Sequence, residues 1–268
     1  MIEVIKQSLE GSKTAEEKLN RAREFLQVLI LKSLFDRGYF ENIAFTGGTA
    51  LRILYGLKRY SEDLDFSLVK KEKYNFDGIA DAVLFELGKN GFKVEGKRKA
   101  EQAVNSVLFK FSGLYAPLGI TAHRDEKFLI KLEVDSNPPK GGNCVIMPFT
   151  DRFVITVNAF DLPSLFATKL HACFFRKYTK GRDYYDLVWY LGKKTVPNIK
   201  LLNNAVLQTE KTDPKLTEAN YKAFLAERIK KVDFAAVRKD VAVFLEDKSE
   251  LKLLDRDLIL GMVGGLEG

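Results

Sequence analysis

Apolar positions along the chain change period several times, and each change marks an element. Between residues 3 and 36, Leu19, Ala22, Phe25, Leu26, Leu29, Ile30 and Ser33 recur at helical spacing, which predicts a helical N-terminal stretch. Thr14 ahead of Glu16 and Glu17 supplies a start signal, and Gly38 supplies a stop. The apolar run Ile43, Ala44, Phe45 predicts a strand, broken by Gly47-Gly48. Residues 50–55 then read as helix, 57–60 as a basic loop, and 63–68 as a second strand. Further on, Ile79, Ala80, Val83, Leu84 and Leu87 predict a helix over 76–90. Strands follow at 92–95, 104–111 and 128–134, and 145–147 and 153–157 read as edge strands. Pro138-Pro139 and Gly141-Gly142 mark a loop. Asp161-Leu162-Pro163-Ser164 opens a helix running to about Tyr178, and from residue 199 the pattern is helical throughout. The tail around Gly261–Gly265 reads as loosely held. The fold class is therefore α+β, with a sheet-containing part over 1–160 and an α-helical part over 161–268.

The chemistry concentrates where the second strand begins. Alternation puts Asp63 and Asp65 on one face, with Leu64 and Phe66 toward the core. Two adjacent carboxylates repel unless a cation lies between them, and hard oxygen donors suit magnesium or manganese. About fifteen residues earlier, Gly47-Gly48 and Thr49 open a helix. Glycine there lets the backbone approach closely, and free N–H groups at a helix start attract phosphate. Either motif alone is more often a turn or a solvated strand end; the two in order, with Ser61 between them, are more specific. In the later strand, Lys131, Glu133 and Asp135 share one face.

The segments Gly47-Gly48-Thr49-Ala50-Leu51-Arg52 and Arg59-Tyr60-Ser61-Glu62-Asp63-Leu64-Asp65-Phe66 resemble the first motif of the AbiEii/AbiGii nucleotidyltransferase toxins. That family belongs to the DNA polymerase β-like nucleotidyltransferase superfamily. Lys169 followed by Arg182-Asp183-Tyr184-Tyr185-Asp186 resembles its second motif, and the likeness covers roughly residues 40–190. The resemblance implies a polymerase β-like core with a mixed sheet and flanking helices, completed by an α-helical C-terminal domain. It implies transfer of a nucleoside monophosphate from an NTP to a hydroxyl acceptor, with Mg2+ or Mn2+ held by Asp63, Asp65 and Glu133, and Asp135 as the fallback third ligand. Gly47, Gly48, Thr49, Ser61 and Lys169 would bind the nucleotide; Arg52 would help them or only tie its helix to the sheet. Asp186 would be an essential acid, with Arg182 and Asp183 supporting it. The biological setting implied is the toxin of a type IV toxin–antitoxin or abortive-infection pair, with RNA or tRNA as acceptor and an antitoxin that need not touch it.

Composition narrows the rest. The 268 residues include 46% hydrophobic and 12% aromatic positions, enough for one large domain or two modest ones. No run of about 18 apolar residues predicts a membrane span, the first residues lack a signal-peptide pattern, and the two cysteines form no metal or disulfide framework; a cytoplasmic protein is expected. A net charge of +7 and a pI near 9.1 favour a polyanionic partner. Lys97-Arg98-Lys99 reads equally well as a solvated turn or a nucleic-acid contact. Between Lys169 and Lys200, eight basic residues outnumber two acidic ones. Tyr184, Tyr185 and Trp189 read as packing rather than base stacking, and His171 as packed or exposed. The plain alternative for Arg182, Asp183 and Asp186 is surface ion pairs worth under about 1 kcal/mol each. Rival functions are a metal-dependent glycosyltransferase and a non-catalytic nucleic-acid-binding protein. A P-loop kinase is excluded by the missing Gly-x-x-x-x-Gly-Lys-[Ser/Thr].

Overall fold

A computed structural model describes residues 1–101, 103–120 and 126–265. The N-terminal stretch is two helices rather than one, α1 (Ile2–Ser8) and α2 (Ala15–Asp36). Gly11 takes a left-handed φ of 81° between them, and the Thr14 hydroxyl caps α2 by accepting from the Glu17 N–H. Side-chain capping of that kind satisfies an otherwise orphaned donor. There follow β1 (Ile43–Thr46), α3 (Gly47–Tyr55), β2 (Leu64–Leu68), α4 (Phe76–Lys89), β3 (Lys93–Ala100), β4 (Val104–Ser112), the single turn α5 (Tyr115–Leu118), β5 (Phe128–Asp135), β6 (Cys144–Thr150) and β7 (Val154–Phe160). The C-terminal elements are α6 (Leu162–Phe175), α7 (Gly181–Gly192), α8 (Ile199–Glu210), α9 (Tyr221–Ile229), α10 (Phe234–Val241) and α11 (Arg256–Gly264).

Seven strands among the described residues form one mixed sheet in the order β3-β4-β5-β2-β1-β7-β6. The β2–β5 and β1–β7 pairs are parallel; β1–β2, β3–β4 and β4–β5 are antiparallel. Strand β5 alternates cleanly: Phe128, Ile130, Leu132 and Val134 are buried, while Leu129, Lys131, Glu133 and Asp135 face the other way. Leu129, although apolar, is 44% exposed on the charged face. Helix α4 packs on α2 and on the core face of β3.

Three further expectations change. Lys97-Arg98-Lys99 lies inside β3, not in a turn, because the β3–β4 hairpin stays in register as far as Ala100↔Asn105. Of the two strands expected at an edge, β7 is interior, paired with β1, and β6 alone lies at an edge. The 261–265 segment is not loose: it lies largely within α11, which is capped by Asp255 and buries Val263.

Contacts divide the chain into two compact units. The first holds Met1–Leu54, Tyr60–Asn137 and Ile146–Ala159; the second holds Tyr55–Arg59, Pro138–Val145 and Phe160–Gly268. In the second, α6 packs on α7 and α8, and α7 on α10 and α11. Helix α6 ends at Phe175, before Tyr178, because Arg176 turns to an extended conformation. Its core side is Phe166, Leu170 and Cys173, while Ala172 and Phe174 are half-buried. No described helix is long and apolar enough to cross a membrane.

Candidate active site

In the first unit, the turn from β1 into α3 is built against Asp65. Gly47 has φ +75°, and a Cβ there would overlap the Asp65 carboxylate and lie 3.0 Å from its Cβ. Only glycine accommodates both the conformation and the approach. Thr46 Oγ1 donates to the Asp65 carbonyl at 3.2 Å, and Thr49 Oγ1 donates to that of Asp63. From α2, the buried Gln27 amide donates to the carbonyls of Ser61 (3.1 Å) and Glu62 (3.0 Å). Four side-chain donor bonds thus fix the backbone carrying both aspartates.

Sheet register brings the third carboxylate alongside. Asp65 is the Cα partner of Glu133 in the parallel β2–β5 pair, whereas Asp135 lies opposite Ser67. Lys131 Nζ is 2.6 Å from Glu133 Oε1. Its ammonium is held above its ordinary value by that hydrogen bond, against a desolvation cost, with the charges of Glu133, Asp63 and Asp65 adding to it. Three carboxylates therefore act on one cation. Burial pushes the Asp135 carboxyl up, partly offset by the Asn137 N–H that donates to it.

Among the described residues, no three His, Cys, Asp or Glu side chains already converge on a metal position. Glu133 is engaged by Lys131 instead. The donor chemistry nevertheless fits a hard divalent cation: three oxygen-bearing side chains share one sheet neighbourhood, and a positive charge already stands among them.

Arg52 has a definite partner. Its guanidinium pairs with Glu24 of α2 and lies 4.3 Å from the Tyr60 ring centroid. It ties α3 to α2.

The second unit holds a buried ionic cluster. Arg59 grips Asp186 with a two-pronged fork, Nε to Oδ1 and Nη2 to Oδ2, both 2.6 Å. Lys169 Nζ lies 2.8 Å from both Asp183 Oδ1 and Asp186 Oδ2, and Arg176 reaches Asp183 Oδ2 at 2.7 Å. The side chains of Arg59 and Asp186 are 2% and 0% exposed. Burial alone would lower the Lys169 pKa, but the charges of Asp183 and Asp186 outweigh it and hold the ammonium protonated. Burial likewise opposes ionisation of Asp183, yet Lys169 and Arg176 keep it below the usual carboxylate range. The surface-pair alternative for Asp183 and Asp186 is thus overturned. The Arg182 guanidinium lies 4.2 Å from the Phe244 ring centroid.

Glycine has a packing role here too. The Gly181 N–H donates to Asp240 Oδ2 at 2.6 Å, and a Cβ at Gly181 would run into the Val237 carbonyl of α10. Tyr184 and Tyr185 are buried, the latter bonded to Glu250, and His171 contacts Thr209 at 2.9 Å.

A family model described as "Nucleotidyl transferase AbiEii toxin, Type IV TA system" matches residues 29–256. The chain belongs to the AbiEii family. AbiEii proteins are nucleotidyl transferases that serve as toxins of type IV toxin–antitoxin systems. No curated protein matches the chain. In fold, this AbiEii chain is similar to the crystal structure of JHP933 from Helicobacter pylori, with TM-score 0.55, 21% identity, and 92% and 89% of the two chains covered. It is also similar to an H. pylori structure of a protein assigned as a nucleotidyltransferase, with TM-score 0.51, 23% identity, and 92% and 96% coverage.

Of the residues singled out in the sequence, the structure brings together Gly47, Thr49, Asp63, Asp65 and Glu133 in the first unit, and Lys169, Asp183 and Asp186 in the second. Arg59 and Lys131 carry central contacts that the sequence motifs do not assign. Spacing does not distinguish Arg59 from Lys58. The available signal was chemical: a bidentate buried partner for a carboxylate calls for arginine.

Proposed function

We propose that this chain transfers a nucleoside monophosphate from an NTP to a hydroxyl acceptor, RNA or tRNA, on a polymerase β-like core. The observation that carries this reading is the register pair Asp65↔Glu133 beside Asp63, which supplies acidic donors of the kind a metal–triphosphate requires. Asp63, Asp65 and Glu133 would hold Mg2+ or Mn2+; Asp135, drawn toward its neutral form by burial, is the weaker candidate. When bound, such an ion supplies charge neutralisation at the transferring phosphate and activation of the acceptor hydroxyl. Gly47 permits a backbone approach at the start of α3, where the N–H groups of Gly48 and Thr49 favour an anion. Thr49 and Gln27 hold the aspartate-bearing backbone still, which keeps the donors preorganised. Lys131 must release Glu133 for that carboxylate to serve as a ligand, and its ammonium is then available to a phosphate oxygen.

In the second unit, Lys169 is already shared by two carboxylates. Its expected contact with nucleotide phosphates would require exchange of one of those pairs. The geometry favours a role for Lys169 and Arg59 in holding Asp186, and for Asp183 in orienting Lys169. Membership of a nucleotidyl transferase family weighs against the glycosyltransferase alternative. So does the region ahead of Asp63, which holds α1, α2, β1 and α3 but no βαβ unit.

The test is label transfer from each of four α-labelled NTPs, with magnesium, to bulk tRNA and to protein. Wild type labels RNA, and Asp65→Ala loses at least about 100-fold of that activity, in line with the loss expected when support for a metal site is removed. Label on protein alone replaces the acceptor; absence of label on either refutes transfer to these acceptors.

A further inference from the structure

Strand alternation places Lys93, Glu95, Lys97 and Lys99 of β3 on one face of the sheet. Helix α4 lies against the opposite face: a Cβ at Gly96 would lie 3.0 Å from Leu84 of α4, and Arg98 pairs with Asp77 and Asp81 of the same helix. Register carries the lysine face inward. Lys97 lies opposite Leu108, which lies opposite Lys131; Lys99 lies opposite Ser106, then Glu133, then Asp65. Lys110 of β4 joins the same face beside Glu95 and Leu129. With strands about 4.8 Å apart, Lys97 stands roughly 10 Å from Lys131, and Lys99 roughly 10 Å from Glu133.

Five lysines, at 93, 97, 99, 110 and 127, are set against Glu95, which pairs with Lys127 at 2.9 Å, and Glu101, which pairs with Lys99. Lysines on an edge strand commonly serve to block edge-to-edge pairing. That explanation reaches Lys93, Lys97 and Lys99 but not Lys110 or Lys131, which stand on interior strands. A surplus of ammonium groups running across the sheet toward a carboxylate cluster matches a partner that is itself polyanionic and must present a hydroxyl at the cluster.

We infer that this face binds the phosphodiester backbone of an RNA acceptor and leads it along β3 and β4 to the carboxylates. The inference rests on the transfer reading for its destination, whereas its test reads binding alone. Affinity for fluorescein-labelled bulk tRNA is measured by anisotropy over a salt series for the full chain, for Lys97→Gln/Lys110→Gln and for Lys97→Glu/Lys110→Glu. Circular dichroism checks the fold, and a fluorescent NTP analogue with Mn2+ checks the nucleotide site.

Each lost phosphate contact lowers the slope of log K against log salt by about 0.7–0.9. The neutralised pair therefore loses roughly 1.4–1.8 in slope, with affinity about tenfold weaker and further weakened by charge reversal, while analogue binding is unchanged. Unchanged RNA affinity and slope overturn the proposal. Equal affinity of the wild type for poly-glutamate also overturns it, since the face would then be a general anion surface. RNA binding that responds as stated, in a protein that transfers no label, refutes the transfer reading and leaves the RNA-binding face standing.

Discussion

At the scale of single residues, Gly47 shows how tightly the aspartate turn is set. Its φ of +75° and its contact with the Asp65 carboxylate leave no room for a side chain. Gly47→Ala is expected to cost about 1–3 kcal/mol through forced left-handed backbone and to displace Asp65; urea unfolding and metal–nucleotide titration check the two effects separately. The glycine pair and the Asp-x-Asp were legible in the sequence because turn chemistry and period-2 alternation are local signals. Lys131 was legible only as a residue on a charged face. Its hold on Glu133 depends on a rotamer, and no spacing rule encodes one. Thr49 looked like a phosphate contact, yet its hydroxyl is given to the Asp63 carbonyl; a threonine's partner depends on which backbone passes nearby.

At the scale of elements, α6 and α7 are joined by charge. Lys169 and Arg176 are seven residues apart on α6 and its end, and both close on Asp183 of α7. The Asp183 carboxylate is depressed in the folded protein. Its stabilising contribution is therefore complete above the unfolded value of about 3.9 and is lost as pH falls through the lower folded value. Lys169 is raised, so its contribution is complete below the unfolded value of about 10.4 and is lost only at more alkaline pH. Near-ultraviolet dichroism of the tyrosines on α7 is expected to hold constant from neutrality to about pH 4 and to fall below it. Asp183→Asn should abolish the Asp183 part of that transition. Helical spacing puts Lys169 and Arg176 on one face and makes Asp183 and Asp186 neighbours. It could not reveal their burial, which depends on helices far along the chain. The split between α1 and α2 has a local cause that periodicity does not carry: the apolar period runs from Leu19 onward, and the break at Gly11 falls before it.

At the scale of the whole molecule, family membership was readable from two short motifs, whereas the passage of the chain between its two units was not. Residues Tyr55–Arg59 and Pro138–Val145 leave the first unit and return to it. Arg59 rides on the first of these excursions, and its buried fork to Asp186 is the excursion's ionic attachment. Arg59→Met leaves Asp186 with one cation fewer in a buried site, which is expected to cost about 3–5 kcal/mol. At roughly 2–4 °C per kcal/mol for a chain of this order of size, the melting temperature falls by about 10 °C, read by calorimetry. Arg59→Lys keeps the charge but loses the fork, and should recover only part of the loss.

The Arg59–Asp186 pair spans 127 positions. At a synthesis rate of about 5–20 residues per second, Asp186 leaves the ribosome roughly 6–25 seconds after Arg59. Throughout that interval the nascent chain carries an arginine whose native counter-ion has not yet emerged. A message truncated before codon 186 yields a product in which that debt is never settled.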